Sequence, residues 1–277
     1  MSAADPVVTI VIVTHSVRAD LQRCLASIAE HAGLPVRTIV VDNASTDDTL
    51  AFVRAHHPDV ELVELARNEG TAARDYGLRL AESRYTMFVD SDAALTPGAL
   101  PAMVAAMDEH PSWGLLGPRL VYDDGSMQLS CRRFPPLLLP VLRRPPLSRL
   151  FEQRRTVQRH LMSDFDHART RPVLYVLGAC QLFRTQTARA AGPFDMNVFW
   201  GWDDADWCFR IREAGGDVVF FAGAQVVHSY QRTTARKPLS GRAIKQLQAF
   251  VYFQRLYWGR RRELIRLSRR LDEASAT

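Results

Sequence analysis

The sequence predicts an α/β architecture built on an open, mostly parallel, doubly wound sheet, and three observations carry that prediction. Apolar β-branched runs alternate with segments of helical periodicity through the first 110 residues. The first run, VVTIVIV at 7–13, is continuous rather than alternating. That is the pattern of a strand buried on both faces, as in a parallel sheet. Two of the runs end in aspartate, at Asp42 and Asp90. In open α/β sheets ligands bind beyond the carboxyl ends of the strands.

The elements follow in order. After the first strand, Leu21, Cys24, Leu25 and Ile28 make a helical stripe, with Asp20 read as its cap and Gly33 as its stop. The second strand, RTIVV at 37–41, leads into DNASTDDT. There Ser45 and Asp48 have capping-box spacing, with Asp in place of Glu, and the helix runs to about His57 before Pro58. VELVEL at 60–65 is a short strand, and ARNEGTAARDYGLRLAES at 66–83 is a loop followed by a helix. YTMFVD at 85–90 is a strand, and PGALPAMVAAMDEHP at 97–111 a helix. The second half is less regular. Residues 131–171, rich in Pro, Leu and Arg, read as a basic insertion of loops with a short helix, and VLYVLGACQLFR at 173–184 restores strand character. DVVFFAGAQVVHS at 217–229 reads as a strand, a turn and a second short strand. Residues 240–271 read as one helix, with Ile244, Leu247 and Val251 on one face and Phe250, Phe253 and Tyr257 beside them.

Composition narrows the class. The 277 residues are 47% hydrophobic, and the four cysteines, Cys24, Cys131, Cys180 and Cys208, form no C-x-x-C pair. That spacing argues against zinc sites and a disulfide framework and fits a reducing, cytoplasmic compartment. The N-terminus has no basic region ahead of its short apolar run, so a first strand is expected rather than a signal peptide. FPPLLLPVL at 134–142 is too short and too rich in proline to span a bilayer. The net charge of +5 is unevenly placed: residues 131–171 hold ten Arg against Glu152, Asp164 and Asp166, and residues 230–277 hold twelve Lys and Arg against Glu263, Asp272 and Glu273. An acidic body thus carries two basic appendages, and basic segments seek phosphate. Neither the P-loop nor the G-x-G-x-x-G pattern is present, so a nucleotide would be held in some other way.

Three groups of residues could carry chemistry. Asp90 and Asp92 stand two apart at a strand end and so face the same way. Their repulsion calls for a partner, and a hard divalent cation such as Mg²⁺ or Mn²⁺, bridging a diphosphate, would supply it. FWGWDDADWCFR at 199–210 sets Asp203, Asp204 and Asp206 among aromatic residues. On a helix Asp203 and Asp206 are neighbours with Asp204 on another flank, so one could be a general base beside an acceptor and another could bind a hydroxyl or cap the helix. His228 ends an apolar strand and is a reasonable further ligand for Mn²⁺.

Taken in order, TIVIVTHS, VDNASTDDT, RNEGTAARDYGLRLA, FVDSDA, GACQLFR, GPFDMNVFWGWDDADWCFRIREAGG and VVHS cover roughly residues 7–230. As an ordered set they resemble the motifs of family 2 glycosyltransferases with the GT-A fold, of the bacterial rhamnosyltransferase-like type. The resemblance implies a Rossmann-like sheet with a nucleotide-sugar-binding half, 1–120, and an acceptor-binding, catalytic half, 121–232. Residues 233–277 would form a C-terminal basic amphipathic helix. It implies that Asp42 accepts the imide N–H of uracil or thymine, that Asp90 lies near the ribose or the metal, and that Thr14, Asn68, Gly70, Arg74 and Ser91 complete the nucleotide pocket. Asp92 and His228 would hold Mn²⁺ or Mg²⁺. Asp204 would deprotonate the acceptor hydroxyl, with Asp203 as its helper or substitute, and Trp202, Asp203 and Asp206 would bind the acceptor. The sequence departs from the family pattern at His15-Ser16, at Asp75, where Asn is frequent, and at Asp203, where Glu is common.

The function so implied is inverting transfer of a sugar, rhamnose from dTDP-rhamnose first, to a cell-envelope polysaccharide or a polyprenyl-linked glycan. WDDAD also resembles the galactofuranosyltransferase form, which keeps UDP-sugar donors open. A nucleotidyltransferase would carry a Gly-rich, Lys-bearing loop after its first strand, which is missing here. A non-catalytic sugar-nucleotide-binding scaffold is the third alternative. FVYFQRLYWGRRRELIRLSRR mixes aromatics with Arg as interfacial helices do, so peripheral attachment to the anionic inner face of the plasma membrane is expected. The alternative is that this helix packs on the domain or in a homodimer. Nucleic-acid binding is not expected.

Overall fold

The structure, a computed structural model, describes residues 5–142, 154–198, 201–229 and 241–275. Strand β1 (Val8–Thr14) is followed by helix α1 (Arg18–His31), β2 (Val36–Asp42), α2 (Thr49–His56) and β3 (Glu61–Glu64). Helix α3 (Arg74–Leu80), β4 (Tyr85–Asp90), β5 (Ala93–Leu95) and α4 (Ala99–Glu109) complete the first half. The second half contains β6 (Trp113–Val121), β7 (Met127–Gln128), β8 (Cys131–Arg132), the short helices α5 (Leu139–Leu142) and α6 (Arg155–His160), β9 (Arg171–Pro172) and β10 (Tyr175–Val176). It continues with β11 (Cys180–Arg184), α7 (Thr185–Ala191), α8 (Asp203–Glu213), β12 (Asp217–His228), α9 (Gly241–Leu256) and α10 (Arg261–Glu273).

The main sheet runs β3-β2-β1-β4-β11-β6-β12-β5. Its first four strands are mutually parallel, β11 is antiparallel to both neighbours, and β12 returns parallel to β6. The expected open, mostly parallel sheet is therefore present, and it continues without a break from the first half into the second. The continuous apolar run of β1 does what its pattern predicts. Ile10 and Ile12 enter a core layer with Leu21, Leu25 and Met103, while Val11 enters the opposite layer with Ile39, Phe88 and Phe183.

Five sequence expectations are corrected. Asp20 lies inside the first turn of α1, whose N-cap is Val17. Ser45 does not cap α2; its hydroxyl accepts the Ser16 N–H at 2.8 Å, and Asp47 instead binds the Thr49 N–H. Strand β6, WGLLGPRLV, was not anticipated, because Pro118 and two glycines are strand breakers by composition. It survives because its register with β12 shifts between Phe221 and Gln225, beside Pro118, where the missing N–H would otherwise break the ladder. That same irregularity makes β12 one strand of 12 residues rather than two joined by a turn. Finally, the expected C-terminal helix is two, α9 and α10, joined by a turn at 257–260 that contains Gly259, a poor helix former.

Residues 143–153 of the expected insertion, Phe199 and Trp200 of the aspartate-rich motif, and residues 230–240 lie outside the described residues. Among the described residues no helix is long and apolar enough to cross a membrane.

Candidate active site

The sheet register assembles the site at the carboxyl ends of β1, β2 and β4. Thr14 is opposite Asp42, and Val13 is opposite Asp90. Asp42 is buried; its Oδ2 accepts the Ser45 N–H at 2.9 Å, while its Oδ1 and the Thr14 hydroxyl are buried with no hydrogen-bond partner among the described residues. A buried polar atom left unpaired costs about 1–3 kcal/mol, and these two stand on paired residues of neighbouring strand ends.

Asn43, which the sequence reading passed over, organises the adjoining loop. Its Nδ2 donates to Asn68 Oδ1 and to the Gly70 carbonyl, and its Oδ1 accepts the Glu69 N–H at 2.7 Å. Asn68 Oδ1 also accepts the Gly70 N–H at 2.9 Å, which turns the loop at a φ of +63°, a conformation that suits glycine. Asn68 and Gly70 are thus tied to Asn43, the residue that follows Asp42. Asp75, at the position where the family pattern has Asn, accepts the Phe194 N–H and pins the loop ahead of α8.

Arg74, the first residue of α3, is the link between the two halves. Its Nη2 donates to Asp90 Oδ1 at 2.8 Å and to the Gly178 carbonyl at 3.1 Å, and its Nη1 donates to Asp203 Oδ2 at 3.2 Å. The guanidinium also lies over the Phe88 ring at 5.4 Å. A Cβ on Gly178 would come within 3.1 Å of Arg74 Nη1, so a larger residue there would have the guanidinium shift by a few tenths of an ångström. Burial raises the pKa of both Asp90 and Asp203 against the pull of Arg74, and Asp92 adds to the rise at Asp90.

Asp90, Asp92 and His228 converge, with one ligand atom from each within 4.8 Å of the others. They come from β4, the β4–β5 turn that also holds Ser91, and the end of β12, whose antiparallel pairing of His228 with Ala93 brings them together. His228 Nε2 is 3.4 Å from Asp92 Oδ1. Its Nδ1 lies 2.7 Å from Gln128 Oε1, which accepts only an N–H and so leaves Nε2 as the ligand nitrogen. Burial lowers the imidazole pKa, and the hydrogen-bonded Asp92 carboxylate outweighs it, for a net rise. Arg23 donates to the Asp92 carbonyl, Asp123 and Ser229, and the Ser229 N–H donates to the same carbonyl, clamping the turn from outside. Gln128, Arg23 and Asp123 were missed by sequence reasoning, since a lone polar residue on a helix surface, a two-residue strand or a turn carries no spacing signal.

Helix α8 starts abruptly after Gly201 and Trp202, both with positive φ (+78° and +73°). This turn sets Asp203 and Asp204 at the helix N-terminus, where the dipole favours their charge. Burial works against it, and with Asp203 beside it the Asp204 carboxyl is pushed up to about 7. Among the described residues its Oδ1 accepts the neighbouring Ala205 N–H at 2.8 Å. Trp202 packs on Phe250 and Phe253 at 4.7 and 5.7 Å. The expectation that Asp206 contacts an acceptor is corrected: it is buried, its Oδ2 accepts Arg210 Nε at 2.9 Å, and its Oδ1 accepts the Tyr257 hydroxyl at 2.8 Å. Both oxygens are committed to holding α8 against the C-terminal helices.

With this geometry in hand, similarity to known proteins becomes informative. Residues 9–187 match the model of the family described as Glycosyl transferase family 2. The chain is 28% identical over 266 residues to the N-acetylglucosaminyl-diphospho-decaprenol L-rhamnosyltransferase of Mycobacterium tuberculosis (strain H37Rv), covering 89% of this chain and 83% of that protein. It is 30% identical over 251 residues to the pre-mycofactocin glycosyltransferase of the same organism, covering 85% of this chain and 45% of that one. Among solved structures it superposes on GalNAc-T7 with UDP, GalNAc and Mn²⁺ at a TM-score of 0.67 and 15% identity, covering 93% of this chain but half of that one. It also superposes on a Pyrobaculum calidifontis mannosyltransferase in complex with GDP-Man and Mn²⁺ at 0.59 and 20%, covering 98% and 75%. These structural likenesses are of fold, the GT-A fold. The match over residues 9–187, spanning most of the motifs that framed the site, establishes that the chain belongs to glycosyl transferase family 2 and is a glycosyltransferase.

Proposed function

We propose that the protein is an inverting, metal-dependent glycosyltransferase that moves rhamnose from dTDP-rhamnose to a lipid-linked cell-envelope glycan. The observation that carries this reading is the Arg74 bridge, which sets the Asp90–Asp92–His228 cluster against the acidic start of α8. The rhamnosyl donor and lipid-linked acceptor take their support from the name of the mycobacterial relative.

Each residue has a role that its environment supports. The unpaired Asp42 Oδ1 accepts the imide N–H of the base, and the loop held by Asn43, Asn68 and Gly70 shapes the pocket beside it. Uracil and thymine present the same imide, so a UDP-sugar such as a galactofuranosyl donor is the alternative. Two carboxylates and an imidazole whose tautomer Gln128 sets are a donor set suited to Mn²⁺ or Mg²⁺. Such an ion, when bound, neutralises charge on the departing diphosphate. Asp204 takes the proton from the acceptor hydroxyl as that oxygen attacks the anomeric carbon. The bond to the diphosphate oxygen breaks on the opposite face, and the nucleoside diphosphate leaves with the bonding pair. Among the described residues the carboxylates nearest Asp204 are engaged, Asp203 with Arg74 and Asp206 with Arg210 and Tyr257, so one displacement with inversion is the reading.

The test is thermal stabilisation by UDP, dTDP, GDP and CMP, each with and without Mn²⁺. A ligand at a hundred times its Kd stabilises by about 2.7 kcal/mol, several degrees for a chain this size. The expected result is a Mn²⁺-dependent shift with dTDP or UDP alone, lost in Asp92→Ala. No shift with any of the four would rule out a uridine or thymidine diphosphate donor at this site.

Gln128→Leu tests the imidazole's orientation. Removing the Nδ1–H acceptor is expected to weaken Mn²⁺ binding about 10–100-fold, and to lower the metal-free melting temperature by a few degrees because a buried N–H loses its acceptor. Titration of Mn²⁺ followed by electron paramagnetic resonance reads this, and unchanged affinity would remove Gln128 from the site.

A further inference from the structure

We propose that helix α9, with the 137–138 loop, forms a docking surface for an anionic lipid bilayer. Helix α9 lays Phe250, Phe253 and Tyr257, in the turn beyond it, into the core, yet the stripe next to them, Ile244, Leu247, Val251 and Trp258, stays exposed. The first three recur at spacings of three and four and so lie along one side of α9, and Trp258 follows in the turn after it. A second element adds to the surface: Leu138 and Trp258 are both 63% exposed, and Leu137 faces Phe250, Val251, Arg255 and Trp258 across a groove of about 530 Å³. Single exposed apolar residues are ordinary, but bulky ones gathered from two elements mark an interaction surface.

Charge selects the occupant. Residues 241–275 hold nine Lys and Arg against Glu263, Asp272 and Glu273, and Lys245, Arg255, Arg262 and Arg266 are exposed. A second copy would set two such cationic helix pairs against each other. An anionic bilayer satisfies both features, taking the apolar stripe and Trp258 into its interface and the cations at its phosphates. The surface also adjoins the acceptor end of the site, because Phe250, which lines the groove, packs on Trp202 next to Asp203. Docking would thus present Asp204 to acceptors held in the membrane. That purpose rests on the transfer reading; the docking itself needs neither nucleotide nor metal.

The experiment is co-sedimentation of the full chain with vesicles of phosphatidylcholine and phosphatidylglycerol, and with phosphatidylcholine alone. The chain is expected to partition to the anionic vesicles and to be released by salt. Val251→Glu with Trp258→Glu, and separately Leu138→Asp, are each expected to weaken partition about tenfold or more. Because these side chains are exposed, the melting temperature and the nucleotide-induced shift should hold. Absence of partition in the parent, or unchanged partition in both variants, overturns the proposal. So does a parent that ignores vesicles but is a dimer that Val251→Glu dissociates. Vesicle binding without any nucleotide-induced shift would instead sink the transfer reading and leave the docking surface standing.

Discussion

Asp204→Asn is expected to abolish sugar transfer while leaving nucleotide binding intact. The amide keeps the shape of the side chain and can still accept the Ala205 N–H, so the start of α8 should not move. What it loses is basicity, and a positioned general base is worth about 10²–10⁴-fold in rate. The drop should therefore appear in kcat, with the dTDP- or UDP-induced melting shift unchanged. The unaltered enzyme supplies the companion result. A carboxyl pushed up to about 7 by burial and by Asp203 is protonated and idle below that pH and ionised above it. The rate should accordingly rise as pH passes upward through about 7 and then level off. An Asp204→Asn enzyme with full turnover, or a rate that falls across that range, would move the base elsewhere, with Asp203 the first candidate.

Arg74→Met is expected to destabilise the fold and to disable the enzyme together. The substitution keeps an unbranched, flexible apolar stem but ends short of the guanidinium that lies over Phe88, and it leaves Asp90 and Asp203 facing each other without their shared cation. Breaking a buried pair by removing one partner costs about 3–5 kcal/mol. The lower end is expected, because the Asp90 side chain retains 40% of its exposure and can hydrate, whereas Asp203 retains 10%. The sign with pH follows from the same groups. Both carboxyls already have pKa values raised by burial, and loss of Arg74 raises them further. A carboxyl that prefers its proton in the folded state penalises folding when pH forces ionisation, so the deficit should grow as pH rises and shrink as it falls. Melting curves of both proteins across the acid to neutral range read this. A deficit that is constant with pH would mean that Arg74 acts by packing alone. Arg74→Lys should rescue only part, since one ammonium does not span both carboxylates as the guanidinium fork does.

The residues that the sequence made legible were those whose positions follow from local periodicity. Asp42 and Asp90 end apolar runs, so their place at the carboxyl edge of the sheet was readable from those runs, and Asp203 and Asp204 stand at a helix start. Other readings failed where tertiary contacts override local pattern. Pro118 reads as a strand breaker, yet the register shift of β12 makes room for it in β6. Asp206 reads as a third functional acid, yet Arg210 and Tyr257 turn it into a tie between helices. The aromatic face of α9 reads as an interfacial seam, yet Phe250 and Phe253 are core, and the exposed stripe lies beside them.

By itself, then, the amino-acid sequence determined the sheet's character, the two acidic strand ends and the family motifs, because periods of two and 3.6 and residue chemistry are properties of a local window. The tertiary structure decided the partners. Only strand order brings His228 to Asp92 from well over a hundred residues away, sets Gln128 behind it, and lets Arg74 join Asp90 to Asp203. Those pairings depend on which strands are neighbours in the sheet, and no local spacing encodes that.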